Sequence, residues 1–337
     1  MRPAANARRV LVTGAGGPSA VSILKSLARP PAVDLWAADI DRHAAGLYLV
    51  PAPRRLLLPR GDDPAFVGAL LEWCRSEAVD LVIPTVDAEL LPIARRRSAF
   101  VEAGIDVMLA SEACLATCLD KWLLAQRCVG RLPVPRTELH DGSVDLRSWR
   151  LPVILKPRSG SGSRDVVRID HPAELARYQP DSTRIVQEYL PGEEYSIDVL
   201  ADPAGTVLAV VPRARLRIDS GVAVAGRTIH DDELDRLARD VAAAVGLGWV
   251  ANVQARRDVD GVARLLEVNP RFPGTMPLTV AAGVDMPRLS LLMASGERPP
   301  EPLRFVDLAM VRFLEERFLE PAELERVPAR PTAGSLV

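Results

Sequence analysis

Two lysines are the first candidates for chemistry, because this chain otherwise uses arginine for positive charge. Its 42 basic residues include only three lysines, Lys25, Lys121 and Lys156. A lysine ammonium is a compact point charge on a flexible stem, which a planar guanidinium does not imitate. Lys121 and Lys156 are therefore candidates for a role that requires such a point charge, although the survival of three lysines by chance explains the same count.

A run of small residues follows Lys156, from Arg158 through Ser161, Gly162 and Ser163 to Arg164. Small side chains let backbone N–H groups wrap an anion, and the flanking arginines add charge, so the run suits a polyphosphate. The Walker A pattern is absent, since the lysine precedes the glycines. A flexible hairpin turn explains the same run equally well.

A second group of polar residues ends an apolar strand as Glu267-Val268-Asn269-Pro270-Arg271. Residues two apart in a strand share a face, so the side chains of Glu267 and Asn269 point together. Gln254, on the preceding strand, can face the same ion across the sheet. One or two carboxylates plus substrate phosphates are the usual ligands of Mg²⁺, and Mn²⁺ is an alternative ion.

Composition limits the class of protein. The 337 residues carry 42 basic and 44 acidic side chains, a net charge of −2, which argues against a nucleic-acid scaffold. No apolar run has the length that spans a bilayer, and the first residues lack the apolar core of a signal peptide, so we expect a cytoplasmic protein of about two domains. The four cysteines are expected to be free thiols in the core, because the scattered histidines complete no zinc site.

The first part of the chain predicts alternating strands and helices. Arg9–Val12 is a predicted strand, a glycine turn follows, and a helix begins at Ser19, ahead of a second strand that ends in Asp39. This pattern superficially matches a dinucleotide fingerprint, but its third glycine is replaced by Ser19. Asp87 and Glu89 follow a later buried strand, where they are either ligands at the sheet edge or a solvated helix start.

The second part alternates strands with few helices. We predict one helical stretch over 111–128, a proline linker, a strand that ends at Lys156, a helix over 231–245, and further strands at 165–169, 184–187, 195–200, 207–212, 249–256 and 263–267.

These motifs, in this order, resemble the ATP-grasp enzymes, in particular the branch of the carbamoyl-phosphate synthetase large subunit and the amino-acid ligases, from Val10 to about Leu319. The resemblance implies that Lys121 and Lys156 reach ATP phosphates and that Glu194 holds the ribose. It implies metal ligands at Gln254, Glu267 and Asn269, and catalytic arginines at 213, 215 and 271 that frame the substrate carboxylate. In this chain, the segment that resembles the family's adenine-binding hinge consists of Gln187, Glu188, Tyr189 and Leu190. The segment that resembles the family's lid loop contains Ser161, Gly162 and Ser163.

The resemblance also implies a fold and an activity. The fold class is α/β, with α+β character in the ATP-binding part: a Rossmann-like N-terminal domain over 1–111, an ATP-grasp lid subdomain over 112–190, a C-terminal subdomain with the metal site over 191–319, and a flexible tail over 320–337. The implied activity joins a small carboxylate to an amine, amino acids among them, with ATP and Mg²⁺, and the enzyme is expected to be a homodimer that contacts neither nucleic acid nor membrane. A small-acid kinase, a carbamoyl-phosphate-synthetase-like phosphorylating enzyme and a silent ATP sensor remain alternatives.

Overall fold

The computed structural model describes residues 8–31, 33–160, 162, 164–219, 221–325 and 327. The chain divides into two compact units. Unit 1 comprises 1–112, 271–301 and 313–337, and unit 2 comprises 113–270 and 302–312. No helix in the described ranges combines the length and the apolar character that a membrane crossing requires.

The N-terminal part of unit 1 is a parallel sheet with helices between its strands. Its elements are β1 (Arg9–Val12), α1 (Pro18–Leu27), β2 (Asp34–Asp39), β3 (Arg55–Leu57), α2 (Phe66–Ser76), β4 (Leu81–Ile83), α3 (Asp87–Arg95), α4 (Arg97–Glu102) and β5 (Asp106–Val107). The strand order is β3-β2-β1-β4-β5, and all four pairings are parallel. Strands buried on both faces explain the continuous apolar runs that the sequence shows there.

Unit 2 contains two antiparallel sheets. Its elements up to residue 269 are α5 (Glu112–Cys118, whose first residue belongs to unit 1), α6 (Lys121–Cys128), β6 (Thr137–Leu139), β7 (Val153–Pro157), β8 (Val167–Ile169), α7 (Pro172–Leu175), β9 (Arg184–Glu188), β10 (Glu194–Ala201), β11 (Val207–Asp219), β12 (Val222–Thr228), α8 (Asp232–Val245), β13 (Val250–Arg257) and β14 (Ala263–Asn269). The remaining elements are α9 (Met276–Ala281) and α10 (Met286–Ala294) of unit 1, β15 (Ala309–Val311) of unit 2, and α11 (Pro321–Glu325) of unit 1.

The smaller sheet of unit 2 has the order β6-β9-β7-β8 and one apolar face. Val153 and Leu155 of β7 are fully buried on that face, against a cluster that includes Trp149. Lys156 lies on the opposite face, because successive strand residues alternate. Gln187 of β9 shares that face, since it pairs with Ile154 across the strands. The strand pattern therefore places a lysine and an amide on the non-core side of the sheet.

The larger sheet has the order β14-β13-β10-β11-β12-β15 and is polar on one face. The register sets Ser196 opposite both Gln254 and Arg213, and sets Gln254 opposite Glu267. Residues directly opposite in an antiparallel pair share a face. The members of the polar face are Glu194, Ser196, Asp198, Arg213, Arg215, Asn252, Gln254, Arg256, Glu267 and Asn269. The alternate residues are apolar, and α8 packs against β10, β11, β13 and β14.

The predicted mixed α/β fold class is confirmed, while some elements differ from prediction. The helical stretch predicted over 111–128 is two helices, because Asp120 adopts an extended conformation and its side chain accepts hydrogen bonds from Trp122 N and Leu123 N at the start of α6. Strand β11 continues through Pro212 to Asp219. The division of 112–319 into two subdomains stays a prediction. Most of the tail predicted over 320–337 lies outside the described residues.

Candidate functional site

Lys121 is held at the start of α6 in unit 2. Its Nζ donates a hydrogen bond to Gly160 O (2.9 Å) and lies 3.4 Å from Glu267 Oε2. Its backbone N–H donates to Arg158 O (2.9 Å). Because Gly160 belongs to the loop after β7 and Glu267 to β14, Lys121 joins three parts of unit 2 that are far apart in sequence.

Lys156 lies at the end of β7, and only 8 % of the residue is exposed. The pKa of its ammonium is lowered from 10.5 to about 8, mainly by burial. The negative charge of Glu267 opposes this shift, the positive charge of Lys121 adds to it, and Glu194 opposes it. Lys121 and Lys156 are thus near enough to repel each other, and two carboxylates lie near enough to attract them. A buried concentration of positive charge of this kind is suited to binding phosphate.

The candidate metal ligands lie together on the polar face of the larger sheet. Asn269 Nδ2 is 3.3 Å from Glu267 Oε1, and Gln254 is the cross-strand partner of Glu267. A shift in register follows Gln254, where Ala255 pairs with Leu265. One carboxylate and two amide side chains therefore converge beside Lys121. Amide and carboxylate oxygens fit a hard cation that takes its remaining ligands from phosphate and water.

A buried carboxylate organises the centre of this face. Asp198 is fully buried, and its Oδ1 accepts hydrogen bonds from Arg213 and from Asn252 Nδ2 (2.8 Å). Arg213 is only 2 % exposed, so the predicted catalytic arginine is held inside the sheet face rather than at a surface. Arg215, the other candidate on β11, donates to Glu194 Oε1 (2.6 Å) and to Gly221 O (2.8 Å).

The predicted adenine hinge connects the smaller sheet to the larger one. Gln187 is buried, and its Nε2 donates to Thr137 Oγ1 (2.9 Å). Glu188 is tied to Arg136 twice, since its N–H donates to Arg136 O and its Oε2 accepts from Arg136 N. Leu190 is buried. The hinge therefore has fixed backbone positions at Glu188 and a buried apolar anchor two residues later.

Tyr189 of the hinge is contacted by two guanidinium groups. The Cζ of Arg168 on β8 lies 4.9 Å from the ring centroid, and that of Arg256 on β13 lies 5.7 Å away. These cation–π contacts join the ring to both sheets of unit 2. A cleft in unit 2 is lined by Lys121, Leu124, Ala125, Val134, Pro135, Gln187, Leu265 and Leu266.

Arg271 belongs to unit 1, where it forms a two-pronged ion pair with Asp87. Arg271 Nε donates to Asp87 Oδ1 (2.6 Å), and its terminal nitrogen donates to Oδ2 (3.1 Å). This is the geometry in which a guanidinium binds a carboxylate, so Asp87 uses the fork that was predicted to contact substrate. Glu89 on the same helix is buried, accepts a hydrogen bond from Thr13 Oγ1, and has its pKa raised by burial to about 7.

The glycine turn after β1 is held by the carboxylate of Asp39, which ends β2. Asp39 Oδ2 accepts a hydrogen bond from Gly16 N (2.7 Å), and Oδ1 accepts one from Asp41 N (2.9 Å). In a dinucleotide fingerprint, an acid at this place binds ribose. Here the acid caps the turn.

Two of the predicted lid residues, Ser161 and Ser163, lie outside the described residues, and Gly162 has a left-handed φ of 73°. The four cysteines are free and buried, as predicted. Within the described ranges, no three His, Cys, Asp or Glu side chains gather into a metal cage.

Sequence reasoning missed Asp198, Arg136 and the partnership of Arg158 with Asp120. Asp198 had a recognisable signal, because a single carboxylate interrupts the apolar strand Ile197–Val199 and so must find a partner when buried. Arg136 and the Arg158–Asp120 pair had none, since each depends on contacts between segments 38 or more residues apart.

Two family models match the chain. One, described as ATP-grasp in the biosynthetic pathway with Ter operon, matches residues 181–316. The other, described as the PylC-like N-terminal domain, matches residues 10–108. The first contains the predicted metal ligands and the whole predicted hinge, and the second coincides with the parallel sheet of unit 1.

Solved structures share the fold at low sequence identity. Pyruvate carboxylase from Rhizobium etli is 17% identical over 89% of this chain, with a TM-score of 0.72, but this chain spans only 30% of its length. The biotin carboxylase domain of 2-oxoglutarate carboxylase from Hydrogenobacter thermophilus, a dimer in complex with MgADP, ADP and bicarbonate, is 16% identical over 88% of this chain and 72% of its own, with a TM-score of 0.71.

A third similar structure is the L-amino acid ligase from Bacillus licheniformis, 16% identical over 86% of this chain and 74% of its own, with a TM-score of 0.65. The resemblance to ATP-grasp enzymes and the fold that it implied are confirmed by these matches. Residues 181–316 therefore match an ATP-grasp family model, residues 10–108 match the model of a PylC-like N-terminal domain, and the solved structures share the fold of the chain.

Proposed function

We propose that the protein is an ATP-dependent carboxylate–amine ligase that makes an amide bond through an acyl phosphate and releases ADP and phosphate. The observation that carries the proposal is the meeting of Lys121, Lys156 and Glu267 beside the loop after β7. Two ammonium groups and a carboxylate with an amide neighbour match the charges of ATP phosphates and their counter-ion.

In this proposal ATP lies in unit 2, between the smaller sheet and the polar face of the larger one. Lys121 and Lys156 contact the phosphates, and the loop at 161–163 closes over them. Gln187, Glu188, Tyr189 and Leu190 border the adenine, and Glu194 takes the ribose hydroxyl groups. Two observations support these placements. Lys121 and Gln187 line one cleft, and Lys156 interacts electrostatically with Glu194.

The donor set on β13 and β14 fits Mg²⁺, or Mn²⁺ in its place. Glu267, Asn269 and Gln254 would hold the ion. When bound, it neutralises charge on the transferring phosphate. Lys121 already contacts Glu267, so the chain itself holds the carboxylate in position and limits its repulsion of the incoming phosphates.

The proposed reaction has two steps. A substrate carboxylate oxygen attacks the γ-phosphorus of ATP, a new O–P bond forms, and the bond to the β-phosphate oxygen breaks to release ADP. The amine nitrogen of the second substrate then attacks the acyl carbon, loses a proton, and inorganic phosphate leaves with its bridging oxygen. Exclusion of water by the loop protects the acyl phosphate from hydrolysis.

The substrates are proposed as a small carboxylate and an amine, with amino acids as the first class to test. Arg271, Arg213 and Arg215 are proposed to act on the carboxylate and the transferred phosphate. Since Asp87 fills the fork of Arg271, a substrate carboxylate would replace it there. The similarity to an L-amino acid ligase supports this class, and the dimer seen in another similar structure supports a homodimer.

The test measures ADP release from Mg-ATP in the presence of a pool of amino acids and small carboxylates, followed by mass spectrometry of any product. We expect ADP release that depends on an amine and a product with the mass of the two substrates less water. Hydroxylamine should intercept the acyl phosphate as a hydroxamate when the amine is omitted.

Glu267→Gln should abolish ADP release without unfolding the protein, since it removes the charge and keeps the shape. Glu301→Gln is the matched control, because Glu301 is exposed. ADP release without an amide would identify a small-acid kinase, and Mg-ATP binding without turnover on any pool would identify a sensor. Either result contradicts the proposal, as does full activity in folded Glu267→Gln.

A further inference from the structure

Arg158 makes more contacts than a solvent-facing loop arginine would. It directly follows β7, the strand that carries Lys156, and its side chain is about three-quarters buried. Its Nε and a terminal nitrogen donate to the two carboxylate oxygens of Asp120, at 3.2 and 2.6 Å. Its other terminal nitrogen donates to Ser182 O (3.2 Å).

The partner carboxylate already has a structural task. Asp120 is the N-cap of α6, and its Oδ1 accepts hydrogen bonds from Trp122 N (2.9 Å) and Leu123 N (3.2 Å). Arg158 therefore pairs with a carboxylate whose place is fixed by a helix. The two-pronged geometry determines the direction of the guanidinium as well as its distance.

The backbone of Arg158 is fixed in the same way. Its N–H donates to Thr183 O (2.9 Å), and its carbonyl accepts the N–H of Lys121 (2.9 Å). Two residues later, Gly160 O accepts the ammonium of Lys121. The start of the Ser/Gly loop and the first residue of α6 are thus connected by side-chain and backbone bonds together.

We infer that Arg158 is a positioning residue: its fork on Asp120 holds Lys121 and the base of the loop after β7 in the arrangement that receives the phosphates of ATP. The functional part of this inference rests on the proposed function. Nothing in the reaction requires Arg158 to touch substrate. Its effect passes through Lys121, whose ammonium it keeps near Lys156 despite the repulsion between the two charges.

The geometric part is tested without ATP, by amide hydrogen exchange on the full-length protein. Arg158→Met should speed exchange in the first turn of α6 and in residues 156–160 at least severalfold, because the links that tie these two segments are lost. Arg147→Met is the matched control. Arg147 also pairs with an aspartate, Asp145, but its side chain is 88% exposed.

The functional part is tested by calorimetric titration with Mg-ATP and with AMP. Arg158→Met should weaken Mg-ATP binding about tenfold and leave AMP binding within about twofold, since only the phosphate contacts depend on Lys121. Arg158→Lys should recover part of the loss. Asp120→Asn, which keeps an N-cap but removes the charge, should show a smaller loss of the same kind.

Unchanged exchange in Arg158→Met relative to Arg147→Met would overturn the inference, as would an equal loss of AMP and Mg-ATP. If Arg158→Met does not fold, hydrogen exchange and the titrations with Mg-ATP and AMP are carried out on Arg158→Lys and Asp120→Asn, and the same criteria apply. Failure of the wild-type protein to bind Mg-ATP would contradict the proposed function instead, and the exchange result alone would then decide the role of Arg158.

Discussion

The buried ammonium of Lys156 should lower the free energy of unfolding, and the size of this effect follows from its shifted pKa. Burial lowers the pKa of its ammonium from 10.5 to about 8. A tenfold change in a proton-binding constant corresponds to about 1.4 kcal/mol, so the charged lysine destabilises the folded state by about 3 kcal/mol at pH 7. Replacing it with methionine, which is uncharged and similar in length, should remove this penalty.

The pH dependence has a definite sign. The folded-state pKa lies below the unfolded value, so between pH 8 and 10.5 the unfolded chain holds a proton that the folded chain has released. The free energy of unfolding of the wild type should therefore rise with pH through this window. Lys156→Met should lack that rise.

The assay is urea denaturation at pH 7, 8 and 9.5 for the wild type and Lys156→Met. We expect the variant to be more stable by about 2 to 3 kcal/mol at pH 7, and by only about 1 kcal/mol at pH 9.5. Addition of Mg-ATP should stabilise only the wild type. Lys25→Met is the control, because Lys25 is 58% exposed and its replacement should change stability by less than about 0.5 kcal/mol. A variant that is less stable than the wild type at pH 7, or that retains the same pH slope, would refute the reasoning.

Three further predictions follow from buried groups and close packing. Burial raises the pKa of Glu89 from 4.5 to about 7, so stability should fall as pH rises between those values, and urea denaturation of Glu89→Gln should show a flatter profile with a gain of about 2 to 3 kcal/mol at pH 8; an unchanged slope would contradict this. Gly14→Ala should cost about 2 to 4 kcal/mol in unfolding free energy, because φ is +62° and the new Cβ would lie 2.4 Å from a side chain, whereas Gly246→Ala, at φ +66° with open space, should cost about 1 to 2; equal losses would show that the close approach is relieved. Asp198→Ala should lower the unfolding free energy by about 3 to 5 kcal/mol, since it leaves the Arg213 guanidinium buried without that carboxylate, and a loss below about 1 kcal/mol would mean that the pair is weak.

The alternation of apolar and polar residues predicted which charged and polar residues of β7 and β14 in unit 2 lie on strands and which of them share a face. The apolar run before Lys156 and the two-residue spacing of Glu267 and Asn269 predicted strands with shared faces, and both are present. Alternation depends only on backbone geometry, so it survives without knowledge of the partner strands.

Contacts between distant segments were not predictable in the same way. Arg271 was expected to be available to substrate, and its bond to Asp87, 184 residues away, depends on the arrangement of unit 1. Strand β11 was expected to end at Pro212. Although a proline lacks a backbone donor, the cross-strand pairs before and after Pro212 keep their register, and the strand continues. Asp120 was predicted to lie inside one helix over 111–128. It is instead the N-cap of α6, although an aspartate before a helical run is a known N-cap signal.

Isotope transfer tests the proposed ligase chemistry most directly. The protein is incubated with Mg-ATP and a pool of amino acids whose carboxyl oxygens carry ¹⁸O, and the released inorganic phosphate is analysed by mass spectrometry. When the amine displaces phosphate from the acyl phosphate, the phosphate keeps one oxygen of the original carboxylate. We therefore predict one ¹⁸O in phosphate for each amide formed, together with ADP. Phosphate without ¹⁸O, or release of AMP and pyrophosphate, would contradict the account.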